Sequence, residues 1–307
     1  MKPRIPPALA LVVAVFAISW SGPLVRFTDA PPLAVAAWRL CLSVVILLLF
    51  LAVPSNREYK RFTPKQALLA VCAGVFLAGH FATWITSLRY TSVANSVTLV
   101  SMQPLFAAFM STVFLREKPS GRQWLGIVVA AAGAIIIGAT GGAAGSDHLK
   151  GDLLAVSGAA FGAAYFLIGR VLRGSVGLWQ YTTTVYGVSA VALVITAVLS
   201  RVPLGGYAGG DWLVFIALAA VPMMLGHTGI NYALRYVPAY IANIVVLGEP
   251  IGATLIAWLL PAIAEVPTPR FMTGAVLVLA GIVLSAETRA VKKRVAVPAM
   301  ETPGAGD

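Results

Sequence analysis

Charge is what this chain has least of. Charged side chains make up 11% of its 307 residues against 59% hydrophobic ones, and the mean hydropathy is +0.88. A chain so composed does not stay soluble as a compact globule, so it is an integral membrane protein. Cysteine is nearly absent: Cys41 and Cys72 both fall inside apolar runs, which gives neither a disulfide framework nor a metal site. No cofactor is expected. No pair of membrane-embedded Asp residues occurs, and no Ser stands in a Gly-x-Ser-Gly setting with a His, so aspartyl and rhomboid-like chemistry lack their groups and the chain is not expected to be an enzyme. Long loops are missing too. The stretch Gly141-Gly142-Ala143-Ala144-Gly145 and the glycines around Tyr207 are turns, because a phosphate-cradling loop needs a preceding strand and a Lys-Ser/Thr partner.

What is present is a series of ten apolar runs. They last about 20 residues and lack the in/out alternation of a barrel strand, so each reads as a transmembrane helix. The first five cover 7–26, 33–53, 66–88, 92–115 and 121–140; the second five cover 152–172, 178–199, 212–233, 238–260 and 270–289. Residues 290–307 form a tail. The first run begins like a signal peptide, with Lys2 and Arg4 ahead of it, but its length and the spans that follow mark it as retained.

The net charge of +11 does not imply a nucleic-acid partner, because the basic residues are spread over the loops rather than gathered on one face. They report orientation instead. With a cytoplasmic amino terminus, sixteen of the 22 Lys and Arg residues lie inside, among them Arg57, Lys60, Arg61, Arg116, Arg173 and Arg235. Both termini are therefore expected in the cytoplasm and the chain in the cell (inner) membrane. Arg39 and Arg170, close to span ends, are expected to snorkel as anchors.

The same punctuation occurs twice, 145 to 148 residues apart. Phe16 and Trp20 recur as Phe161 and Tyr165, Gly79-His80 as Gly226-His227, and Gln103-Pro104 as Glu249-Pro250. Glu117, Pro119, Arg122, Gly126 and Gly133 recur as Glu265, Pro267, Arg270, Gly274 and Gly281. An odd number of spans per copy turns the second copy upside down relative to the first. The expected fold is all-α: two inverted five-helix repeats, residues 7–140 and 152–289, around a central cavity. Gly126 with Gly133, and Gly274 with Gly281, mark close helix packing, with a homodimer as their alternative use; Gly158 and Gly162 form a similar small face.

The costliest residue is Glu249, near the middle of the ninth span. A charge at that depth costs on the order of 2.5–3.5 kcal/mol, so it must face protein or water or carry a proton. It is the candidate for proton or cation coupling. Its mirror position holds the amide Gln103. His80 with Trp84, and His227 with Asn231, each share a helical face, and the two faces should meet across the pseudo-twofold axis. Phe16, Trp20, Phe76, Phe161 and Tyr165 extend that surface as aromatic stripes, and Ser96 continues the polar track of Gln103. These residues are the candidate solute site.

Taken together, the ten helices, the Gln103-Pro104 and Glu249-Pro250 pairs, and the run Phe114-Leu115-Arg116-Glu117-Lys118-Pro119 leading to Gly126 and Gly133 resemble the EamA-type transporters of the drug/metabolite transporter superfamily. The resemblance covers residues 7 to 289. It implies cytoplasmic termini and a cavity lined by helices one, three, four, six, eight and nine. Members export or exchange amino acids, other metabolites and drugs, or import sugars. The second copy departs from the pattern where its acidic residue is displaced to Glu265 behind Pro261-Ala262-Ile263-Ala264. The expected function is a secondary active transporter, an exporter or exchanger of a small organic solute; a channel or facilitative pore is the alternative, and would want charge rings or carbonyl filters.

Overall fold

The computed structural model describes residues 3–52, 61–90, 96, 99–138, 148–261 and 269–285. Glu265, the glycine stretch from 141 to 145 and the tail lie outside them. Among the described residues ten helices follow in chain order. They are α1 (Pro7–Ile18, continuing as Ser21–Val25), α2 (Pro32–Ala52), α3 (Pro64–Ser87), α4 (Gln103–Met110, continuing as Ser111–Leu115) and α5 (Gly121–Gly138). The second set comprises α6 (His148–Arg173), α7 (Leu178–Leu199), α8 (Gly209–Leu218, Ala219–His227 and Thr228–Ala233), α9 (Ala239–Val246 and Glu249–Leu259) and α10 (Pro269–Ser285).

Local chemistry sets the helix starts. Thr63 and Gln66 cap the first turn of α3 reciprocally, with Pro64 at the first helical position. Ser120 and Gln123 do the same for α5, where the Ser120 N–H donates to Gln123 Oε1 at 2.8 Å and the Gln123 N–H to Ser120 Oγ at 3.3 Å. Arg116 ends α4 in the left-handed region at φ 57°.

The packing pattern carries the symmetry. Helix α3 lies along α6 and α1 lies along α8, while α2 pairs with α7, α4 with α9 and α5 with α10. Exchanging the two halves turns the first pair into the second and leaves each of the other three unchanged. That is the contact signature of two inverted repeats about a pseudo-twofold axis.

Helices α1, α8 and α9 break or distort at mid-length, and the last turn of α4, Ser111–Leu115, is π-helical. Helix α1 breaks at Ser19 and Trp20, and α9 at Leu247 and Gly248, just ahead of Glu249. In α8, Pro222 removes a donor and the turns from Ala219 to His227 widen to π-helical. Thr228 Oγ1 collects the Met223 carbonyl there at 3.1 Å. Ser19 Oγ donates to the Val15 carbonyl at 2.8 Å and lies 3.4 Å from that of Glu249, so the breaks in α1 and α9 are tied together.

The glycine faces meet each other within one chain. A Cβ on Gly133 would stand 2.6 Å from the Gly274 carbonyl oxygen and 2.7 Å from the Val278 nitrogen, and one on Gly281 would meet Ala130 at 2.6 Å. Backbone thus packs on backbone along the α5–α10 seam, and this is how the chain uses its Gly126–Gly133 and Gly274–Gly281 faces. Gly133→Leu is expected to destabilise the fold by about 1–3 kcal/mol through overpacking against atoms that have no side chain to turn away. Gly187→Ala in α7, where an added Cβ meets nothing within 4 Å, should leave the melting temperature unchanged or raised. Thermal unfolding of the purified variants checks both; equal melting curves for Gly133→Leu and wild type would contradict the seam.

Candidate functional site

Two half-helices begin at the centre of the bundle. Gln103 opens Gln103–Met110 and Glu249 opens Glu249–Leu259, each followed by a proline where the missing N–H would have had no intrahelical partner. Both side chains face one cavity. Its polar wall is completed by Ser21, Arg39, His80 and His227, and its apolar wall is Ile18, Trp84, Val100, Phe166, Ile230 and Val246. The open space is about 20 Å³. That is room for roughly one water.

The histidines related by the repeat stand across the axis from one another, with ring centroids 6.3 Å apart. His80 Nδ1 meets the Gly158 carbonyl at 2.8 Å. A carbonyl only accepts, so Nδ1 carries the proton and Nε2 is left for another partner. His227 is held by rings, edge-on to Phe81 at 5.3 Å and stacked on Phe166 at 6.0 Å, and its Nδ1 has no hydrogen bond among the described residues. Trp84 stacks on His80 with centroids 6.1 Å apart, its Nε1 also unbonded. This crowding depends on Gly162 in α6: a Cβ there would come within 2.6 Å of Gln103 Oε1 and 2.9 Å of His80 Nδ1.

Other expected site residues lie elsewhere. Asn231 and Tyr165 are buried beside the cavity and occupied with each other, the Asn231 Nδ2 donating to the Tyr165 hydroxyl. Ser96 is buried against Ser87, with the two hydroxyls 2.6 Å apart, and does not reach the cavity. Phe76 and Phe161 pack on one another with centroids at 6.1 Å, Phe161 filling the space beside Gly79. Trp20 sits half-buried at the break in α1 without lining the cavity. Phe16 is 62% exposed and faces outward from α1. A four-residue aromatic spacing fixes a common face but not which side that face turns to.

Both arginines expected as anchors are buried. Arg39 is the eighth residue of α2, about 10 Å along the helix from its start, and only 1% exposed. Its guanidinium lies over the Phe81 ring at 4.3 Å, and none of its three nitrogens has a hydrogen-bond partner among the described residues. Arg170 pairs with Glu117, Nη2 to Oε1 at 3.0 Å, and donates to the carbonyls of Leu234 at 3.2 Å and Arg235 at 3.4 Å. Arg173 donates beside it to the carbonyls of Asn231, at 3.0 Å, and Val176. This lacing ties α4 to α6 and α8 at one end of the bundle. Among the described residues no group of three or more His, Cys, Asp and Glu side chains could hold a metal ion.

The chain's similarities agree with this architecture. The model of the EamA-like transporter family matches twice, over residues 5–139 and 149–286. The uncharacterized transporter YyaM of Bacillus subtilis (strain 168) is 23% identical over 257 residues, covering 82% of this chain and 83% of its own. The uncharacterized transporter YwfM of the same organism is 25% identical over 270 residues, covering 85% and 86%. An uncharacterized transporter of Archaeoglobus fulgidus is 23% identical over 284 residues, covering 92% and 98%. Among solved structures, one described only as the crystal structure of a protein matches with a TM-score of 0.77 and 15% identity, over 91% of this chain and 96% of that one, a likeness of fold alone. With seven helices long and apolar enough to cross a membrane and three shorter apolar ones among the described residues, and with each half matched in turn, the protein belongs to the EamA-like transporter family.

Proposed function

We propose that this membrane transporter is a secondary active carrier, an exporter or exchanger, that binds one small organic solute in the central cavity and exposes it to the two sides in turn. The carrying observation is the convergence at one mid-bundle point of two half-helix starts, two histidines from opposed repeats and one acidic side chain, Glu249. Non-helical backbone at membrane depth is tolerated where it lines a cavity. His80, His227, Gln103 and the Trp84 indole bond the solute's polar groups, and Phe166 with the aliphatic wall encloses its apolar body. Phe76, Phe161 and Ser96 act in packing, and Phe16 faces lipid.

In this reading the halves 7–140 and 152–289 rock as units about the axis. Both termini lie in the cytoplasm of a cell (inner) membrane protein, and the end laced by Glu117, Arg170 and Arg173 is the cytoplasmic gate, held shut. Glu249 couples flux to a proton: it alternates between the protonated form and the carboxylate as the cavity changes sides. Sodium coupling and a uniform pore are the competing outcomes of the tests.

In proteoliposomes, solute flux by the wild type is expected to saturate and to follow an imposed pH gradient. Glu249→Gln should still exchange solute across equal pH while losing the acceleration by the gradient at least ~10-fold, on the loss of the acidic side chain at the cavity. Unitary current steps would sink the carrier reading, and an unaltered gradient response in the variant would remove Glu249 from coupling. Glu117→Gln removes charge-assisted bonds worth about 1.5–3 kcal/mol to the closed gate. A cysteine at position 230, introduced with Cys41 and Cys72 replaced by Ala, should then be labelled about 10-fold faster from the cytoplasmic side; unchanged labelling would mean that this pair does not hold the gate.

A further inference from the structure

Arg39 is a cation without an anion among the described residues. Its nitrogens are buried at the cavity wall, and no carboxylate among the described residues lies within 4.0 Å of them. The Phe81 ring face at 4.3 Å offsets part of the cost of burying the charge, and Glu249 is close enough to feel that charge without pairing to it. A guanidinium is a planar fork of five donors matched to carboxylate geometry. Left with no acceptor, it is an expensive feature to bury.

The repeat identifies what is missing opposite it. At the start of Glu249–Leu259, the positive end of the half-helix is met by a carboxylate, that of Glu249 itself. The equivalent start at Gln103 carries an amide, with no acidic residue in its first turn. The Gln103 half-helix start and the Arg39 guanidinium therefore face the same cavity with no negative charge assigned to either. The polar atoms around them include unbonded donors and acceptors, Trp84 Nε1 and Gln103 Oε1.

We propose that the solute is a small organic acid with an apolar body, and that its carboxylate is bound by Arg39 as a bidentate ion pair beside the start of Gln103–Met110. This rests on the reading of the cavity as the solute site. The apolar body then lies against Trp84, Phe166 and the aliphatic wall. Glu249 is the acceptor for an ammonium, where the acid is also an amine, or for the coupling proton where it is not.

The test is equilibrium binding to the purified full chain in detergent, read by thermal stabilisation and calorimetry, so that it does not depend on flux. The probes are matched sets sharing one body: 3-phenylpropionate, 3-phenylpropionamide and 3-phenylpropylamine; hexanoate, hexanamide and hexylamine; and phenylalanine with its amide. Within a set that binds, the acid is expected to bind at least ~10-fold more tightly than its amide. Arg39→Gln should weaken the acid by about 10- to 100-fold, the range for hydrogen bonds to a charged group, and leave the amide unchanged. Arg39→Lys keeps the charge without the fork and should fall between.

The ligand-free Arg39→Gln protein is expected to melt at or above the wild-type temperature, since it loses a buried charge that has no partner. This keeps loss of binding distinct from loss of fold. Equal binding of acid and amide, no set in which the acid is preferred, or an acid preference that survives Arg39→Gln would each overturn the proposal. Flux of a neutral or amine solute at wild-type rate through Arg39→Gln would overturn it while leaving the transport reading intact. Acid-selective binding lost in Arg39→Gln, in a protein that moves no solute, would support it and sink the transport reading instead.

Discussion

Inside a bilayer a backbone N–H or C=O has no water to turn to, and the rest of this structure follows from where the chain can bear to leave such groups free. Continuous helices satisfy the requirement alone, which is why α2, α3, α6 and α7 run their full length. The interruptions in α1, α8 and α9, and the mid-membrane start of Gln103–Met110, need protein around them. They cluster for that reason: Ser19 bridges the breaks of α1 and α9, Thr228 takes up a carbonyl released by the wide turns of α8, and Tyr186 bonds Thr228 at 3.0 Å from α7.

Clustering of broken helices demands that the whole ones stand close, and small residues permit it. Gly158 and Gly162 let α6 press against α3 and bring His80 and Gln103 together. The α5–α10 glycines do the same along their own seam, where Gly126 leaves room for the Ser285 hydroxyl. Dispersion and backbone contact hold the scaffold, because lipid tails compete with any merely greasy surface.

Much of this was legible in the residues. Length and hydropathy reveal the spans, and residue order reveals the duplication, because both are properties of the chain rather than of its surroundings. His80 and His227 are recognisable as a pair for the same reason. Arg39 is not. As the seventh residue of an apolar run, an arginine reads equally as an interfacial anchor or as a buried cation, and only the direction of its face on α2 decides. Arg170 fails in the same way, since the carbonyls of Leu234 and Arg235 that receive it lie more than sixty residues away. The aromatic stripes show the complementary limit. Phe16 and Trp20 share a face as their spacing requires, yet that face turns outward at Phe16, because the neighbours that would have covered it pack against the other side of α1 at Ala14 and Ile18.

The α5–α10 seam also sets a timetable. Its two faces are separated by 148 residues of chain, so α10 is made well after α5. At roughly 5–20 residues per second, α5 waits about 7–30 s in the bilayer with its glycine face against lipid. The three self-paired contacts, α2 with α7, α4 with α9 and α5 with α10, are completed in the order of synthesis. The seam therefore closes on a half-shell left open during synthesis, and whatever occupies the α5 face in that interval, a lipid tail or an insertion factor, must give way when α10 arrives.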